Sequence, residues 1–316
     1  MTKGETAIQR TTSFDTLKAL AAYLVVFLHW ETENVLGRSI HLLAYMAVPV
    51  FFMISGFFFN RLNERGKVVA QLKKVVRLTL YAYLVYFLLF WYRHKSLAPL
   101  ADWFTADRLS FYLFSCDVRL GFHLWYLNSI VVVLALLYLF TRRWKLCRLF
   151  FLIPPLLLAD WYFTYLNLPP EYNRNILIPG LAFFLLGSWV SGLHVRRRWI
   201  YLFLPFLFGA LLIVELFLCE RWGSGKAFVC LTPLCVSVLL VAQLYPGFGA
   251  KTVLPYIGRN LSAYIFVYHI AFILVFYDIM PRALDHSFLL PVLTMVCSTV
   301  VAWVHVKVKN LMAGEK

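Results

Sequence analysis

Charge is what this sequence has least of. Asp, Glu, Lys and Arg make up 14% of its 316 residues, where an ordinary soluble domain carries about 25%. No connection between its apolar runs exceeds about 30 residues, too short for an inserted soluble domain. The short alternating segments of a membrane β-barrel are missing, and so are internal repeats and low-complexity tracts. Residues 1–13 are polar and no small-residue cleavage site follows the first apolar run, which argues against a removable leader. The six cysteines, Cys116, Cys147, Cys219, Cys230, Cys235 and Cys297, include no C-x-x-C pair and no metal-ligand spacing. They read as small apolar packing residues, and no metal is expected.

What the chain has in abundance is hydrophobic sequence, 62% of the total. Apolar runs near the length needed to cross a bilayer recur from end to end. In lipid the backbone must satisfy its hydrogen bonds within each segment, so these runs are helices. The expectation is an all-α integral membrane protein with about ten spans, near 14–30, 41–60, 73–92, 122–141, 147–165, 176–194, 199–219, 226–245, 260–279 and 287–306. The stretch 102–115 is too short and too charged to cross and reads as an interfacial helix or loop on the outer face. Residues 1–316 form a single membrane domain in this reading, with 1–12 and 308–316 as tails.

A net charge of +15 raises the question of nucleic acid, and its distribution answers it. Counted over alternate connections, 21 of the 30 Lys and Arg fall on one side, which includes both tails, and 9 on the other. Such a bias orients a multi-pass protein with both termini in the cytoplasm. Most of these charges then serve topology and contact with anionic lipid, and no nucleic-acid partner is expected.

The ionisable groups left at membrane depth are the functional candidates. The first span carries Asp15 in its opening turn, Lys18 near its inner end and His29 near its outer end. Lys18 and His29 are eleven residues apart, close to three turns and about 16 Å, so they share a face. Their plain alternative is a pair of snorkelling end residues. Lys73, Lys74 and Arg77 open the third span, and Arg259 opens the ninth, all on the inner side. With Lys18 they form either a cationic mouth for a phosphorylated ligand or an inner-leaflet charge belt. His123, Trp125 and Tyr126 stand at the outer start of the fourth span, and Asp160, Glu215 and Asp278 at outer ends. Here the alternatives are a sugar site and an interfacial aromatic belt. His269 lies near mid-depth, where a buried histidine bonded to a neighbouring helix is the plain reading. Cations inside and a histidine outside, on one helix, suit an extended donor with a phosphorylated head, and acyl-coenzyme A has that shape.

Five segments in order resemble acyltransferase family 3, a family of bacterial membrane proteins. They are the FDTLK segment leading to His29, VPVFFMISGFFF at 48–59, Lys74 through Arg77, HLWYL at 123–127, and GRNLSAYIFVYH at 258–269. The resemblance covers most of the chain. It implies an enzyme of the bacterial cytoplasmic membrane that uses acyl-coenzyme A, usually acetyl-coenzyme A, to O-acylate extracytoplasmic glycans. The implied partners are membrane lipid, the acyl donor as co-substrate, and a glycan or lipid-linked sugar acceptor, with no permanently bound cofactor. In that mechanism Lys18, Lys74, Arg77 and Arg259 hold the coenzyme A phosphates, and His29 is general base on the acceptor hydroxyl. Ser262, Tyr264, His123, Trp125, Tyr126 and His269 are candidates for oxyanion or acceptor contacts, and Asp160 for the partner of His29. Departures from the family pattern are Lys18 and Lys74 in place of arginines, Leu80 in place of a common proline, and no sign of the soluble esterase-like domain that some members carry. The alternatives are a transporter or flippase of a lipid-linked sugar, suggested by Pro154, Pro155, Pro179, Pro205 and Pro233 within spans, a non-catalytic subunit of a polysaccharide export system, and transfer of a larger acyl group such as succinyl.

Overall fold

The computed structural model describes residues 11–30, 34–61, 65–96, 120–169, 172, 174–222, 228–280 and 288–314. Among them there is no strand. The helices are α1 (Thr12–Phe27), α2 (Val35–Ala44), α3 (Ala47–Arg61), α4 (Arg65–His94), α5 (Trp125–Phe140), α6 (Ile153–Tyr165), α7 (Ala182–Ser191), α8 (Leu204–Trp222), α9 (Leu231–Leu244), α10 (Ser262–Ile279) and α11 (Leu289–Met312). Tight 3₁₀ turns lead into α5, α6 and α8, and wider π-helical turns, Ile176–Leu181 and Ile257–Leu261, lead into α7 and α10. The segment expected at 102–115, and Cys116, lie outside the described residues.

Ten of these helices fall on the ten apolar runs. The eleventh, α2, falls largely where the sequence suggested a connection. Arg38, Ser39 and His41 hide its first turns from a search for apolar runs, but Asn34 caps it by accepting the Gly37 N–H at 2.7 Å, and Gly37, Leu42 and Ala44 are buried. The first span is also shorter than expected. α1 ends at Phe27, and the N–H groups of Leu28, His29 and Trp30 bond three residues back, a tightened final turn that carries His29.

Among the described residues, seven helical stretches are long and apolar enough to cross a membrane. Two shorter apolar helices are α9 and α7 with its π turn, and α9 at 14 residues spans only about 21 Å. These are among the buried elements: α7 has eight of its ten residues buried. The longer α4 and α8, and α6 with its 3₁₀ turn, direct Leu80, Leu84, Leu158, Phe206 and Leu207 outward, as lipid-facing helices do. Among the described residues, the most extensively packed helix pair is α3 with α7. A Cβ on Gly56 would collide with the Phe184 carbonyl, and one on Gly187 with that of Met53. Reciprocal glycines thus let two backbones touch, the packing that drives helix association in lipid.

Three contacts set the axis of the functional region. α1 and α10 run parallel, joined near their starts by Asp15 and Arg259, and further along by the rings of His29, just past the end of α1, and His269, midway along α10. α4 follows the same direction, with Tyr81 bonded to Tyr268, Tyr86 to Val267 and Ala271, and Arg93 paired with Asp278. α11 runs back against α1, from Phe288 beside Phe27 to Thr299 beside Tyr23. α1 therefore begins, and α11 ends, at the same end of the bundle.

Candidate active site

Asp15 organises one end. Its side chain is only 3% exposed and faces two cations: Arg259 Nε donates at 3.0 Å and Lys18 Nζ lies at 3.5 Å. Gly258 makes this possible, since any Cβ there would strike the Asp15 carbonyl and push the π turn away from α1. The start of α1 is pinned as well, by Ser13 Oγ on the Ala242 carbonyl and Thr12 Oγ1 on that of Pro246. The cations remain reachable, with Lys18 28% and Arg259 38% exposed. The register of α4 against α10 puts Arg77, one turn before Tyr81, near the depth of Arg259, and Lys74 a turn beyond. Both are exposed on α4.

Imidazoles organise the other end. The ring of His269 lies 5.3 Å from that of His29 and 5.2 Å from that of His123, centroid to centroid. His29 is half-buried, while His123 and His269 are buried. Both nitrogens of His123 and the Nε2 of His269 are buried with no hydrogen-bond partner among the described residues. The turn bearing His29 is held from outside by His41 of α2, whose Nδ1–H donates to the Phe27 and Trp30 carbonyls at 3.1 Å each. Among the described residues no group of three His, Cys, Asp or Glu is placed to hold a metal ion.

All three imidazoles line one cavity of about 380 Å³, together with Trp125, Phe122, Asp160, Thr164, Asn167 and Arg174. Sites for small ligands begin near this size. Its mixture of aromatic, amide, hydroxyl and charged groups suits a polyhydroxylated molecule. Arg174 is fixed by its neighbour Asn175, a fully buried residue whose Oδ1 caps Leu177 and Ile178 and whose Nδ2 donates to the Tyr172 carbonyl.

Comparison with protein families finds that the acyltransferase family 3 profile, described as an acyltransferase domain, matches residues 11–307. The chain belongs to this acyltransferase family. It is a multi-pass membrane acyltransferase. Searches of curated proteins and of solved structures give no match.

In this acyltransferase the cavity brings together His29, His123, Trp125, His269 and Asp160, five of the residues singled out in the sequence. The others lie elsewhere. Ser262 gives its hydroxyl to the Gly258 carbonyl at 2.7 Å, close to the Asp15 end, because a serine one turn into a helix bonds back to it. Tyr264 stacks on His305 at 4.2 Å in the α4–α10–α11 cluster. Tyr126 packs among Phe51, Phe52 and Phe266, behind the cavity wall. These three are therefore away from the imidazoles in the acyltransferase, and the oxyanion and acceptor roles considered for them have no support in the geometry. Asp160 shares the cavity with His29, but no ion pair joins them. The sequence reading missed Arg174, Asn167 and Thr164 as cavity residues, and His41 as the group that holds the His29 turn. Arg174 had one signal, as an arginine on the side where Lys and Arg are sparse.

Proposed function

We propose that the protein transfers an acyl group, acetyl in the simplest case, from cytoplasmic acyl-coenzyme A to a hydroxyl of an extracytoplasmic sugar or surface polysaccharide at the bacterial inner membrane. The observation that carries this reading is the parallel α1–α10 pair. It holds cations at one end and imidazoles at the other, and the ten residues from Arg259 to His269 span about 15 Å. An extended pantetheine arm covers a distance of that order. Lys18 and Arg259, oriented by Asp15, grip the donor phosphates from the cytoplasmic side, with Lys74 and Arg77 adding to the field. Both termini are cytoplasmic in this reading, as the 21-to-9 distribution of Lys and Arg supports.

The chemistry belongs to the cavity. His29 takes the proton of the acceptor hydroxyl as its oxygen attacks the thioester carbonyl. The new C–O bond forms, the C–S bond breaks, and the coenzyme A thiolate leaves and recovers the proton from the His29 imidazolium. His123, whose neutral ring must carry one N–H and has no partner for it among the described residues, is the donor best suited to the developing oxyanion. Trp125 offers a face for the sugar, and Asp160, Asn167 and Arg174 offer partners for its polar groups.

The test uses the purified protein in lipid vesicles with acetyl-coenzyme A and candidate glycans. The expected result is release of free coenzyme A thiol in step with a mass gain of one acetyl group on the glycan. Movement of unmodified glycan across the bilayer without thiol release would make the protein a carrier instead.

A further inference from the structure

His269 holds a buried nitrogen that the acyl-transfer scheme leaves unused. The residue is 0% exposed. Its Nδ1 lies 2.7 Å from the Phe266 carbonyl oxygen, which can only accept, so Nδ1 carries the hydrogen. In the neutral ring Nε2 then holds a lone pair. That atom is buried, has no partner among the described residues, and belongs to a residue lining the cavity beside His29. A neutral ring in this tautomer has no second N–H, which removes His269 from the candidates for oxyanion donor.

The groups around it narrow what Nε2 can accept from. Tyr86, against His123, gives its hydroxyl to the Val267 carbonyl at 2.7 Å. Asp160, from α6, is an acceptor itself when ionised. Arg174 lines the same cavity as His29. The donors in ring contact with His269 are the two neighbouring imidazoles, His29 at 5.3 Å and His123 at 5.2 Å. The ring of His29 is tilted only 33° from that of His269, while the ring of His123 stands nearly edge-on at 79°. His29 sits on a short turn past the end of α1, with its ring 5.3 Å from that of His269.

We propose that His269 is a positioning residue for His29: its Nε2 accepts the N–H of the His29 ring and leaves the other His29 nitrogen as the lone pair facing the acceptor hydroxyl. The inference rests on His29 being the general base. It gives a neutral imidazole the part that a buried carboxylate plays in a Ser-His-Asp triad, fixing tautomer and direction. It also does so without placing a permanent charge at membrane depth. The proton balance is unchanged, since His29 gains one proton from the hydroxyl and returns it to the thiolate while its bond to Nε2 persists.

Two substitutions separate this role from packing. His269→Asn keeps an N–H for the Phe266 carbonyl and loses the acceptor at the Nε2 position. Its kcat should fall about 100-fold, the scale of a misplaced catalytic group, with donor KM unchanged. His269→Gln places an amide that can accept near the Nε2 position and should regain about tenfold over Asn. In a His29→Gln background, His269→Asn should cost nothing further, because it acts through a base that is no longer there. Equal rates for Asn and Gln at matched abundance, or a multiplicative loss in the double variant, would overturn the proposal, and the latter would assign Nε2 to His123. If His29→Gln alone keeps a wild-type rate, the general-base reading itself fails. If His29→Gln is inactive while His269→Asn is not, only the positioning role fails.

Discussion

The two ends of the α1–α10 pair are built on opposite principles. At the Asp15 end the buried charge is matched: one carboxylate holds two cations, and both cations keep part of their surface open. At the His29 end three buried nitrogens on His123 and His269 have no partner among the described residues. An unsatisfied buried polar group costs about 1–3 kcal/mol, so a fold keeps such atoms where a ligand completes them. The matched, half-open end is suited to binding a charged molecule repeatedly, and the unmatched end to handling protons. In the proposed scheme, binding and chemistry are therefore divided along a single helix pair, the cations serving one and the imidazoles the other.

The comparison breaks most completely if the two ends face the wrong compartments. In a variant whose six native cysteines are replaced by serine, Tyr172→Cys, exposed beside the Asn175 cap, should react with an impermeant thiol reagent in intact cells. Arg197→Cys should react only after permeabilisation, because Arg197 packs over Tyr245 near the start of α1. The contrast is all or none, and reversed labelling would put the cationic end outside, away from any cytoplasmic donor.

Next in size is the loss at the imidazole end. His29→Ala and His29→Gln should each lower kcat by about 10²–10⁴-fold, the range for a general base, with donor binding preserved some 15 Å away. The readout is coenzyme A release in membranes, normalised to protein level. Retention of more than about a tenth of the rate in both variants would remove His29 as the base.

How far the sequence carries depends on the range of the interaction. Periodicity and run length locate ten helices because both are local. The spacing of Lys18 and His29 along one helix is local too. α2 was missed because an amphipathic helix on the bundle edge has no long apolar run. The end of α1 at Phe27 was missed because its stop is set by His41, which caps the last carbonyls from another helix. Asp15 looked like a residue suited to a helix start. Its pairing with Arg259, 244 positions away, exists only because Gly258 lets two backbones meet. Ser262 and Tyr264 looked like site residues because they share a motif with His269, but positions seven and five residues before it lie one to two turns down the helix, towards the Asp15 end.

The cationic end should fail by a different kinetic signature. Arg259→Ala removes a guanidinium and leaves Asp15 facing Lys18. Donor KM should rise by roughly tenfold to a hundredfold, as for a charged hydrogen bond worth about 1.5–3 kcal/mol, with kcat little changed, because binding common to ground and transition states is lost. Asp15→Asn keeps an acceptor but loses the charge that orients both cations, and should raise donor KM by less. A fall in kcat at constant KM in Arg259→Ala would mean that this end takes part in the chemical step, and the division of labour would be gone.

The smallest expected effect sharpens the comparison within the cationic end. Arg77 shares the depth of Arg259 by the register of α4 against α10, yet it is exposed and has no carboxylate to orient it among the described residues. Its charge acts through solvent, where an ion pair is worth about 0.2–1 kcal/mol. Arg77→Ala should therefore raise donor KM by less than about sixfold. Because exposed charges are screened over a Debye length of about 8 Å at physiological salt, that small difference should shrink as salt is raised, while the Arg259→Ala defect persists. Measuring donor KM for both variants at low and high ionic strength separates the two contributions. A salt-insensitive loss at Arg77 as large as that at Arg259 would mean that the donor phosphates are clamped between α4 and α10, and that Asp15 orients one half of a two-sided grip.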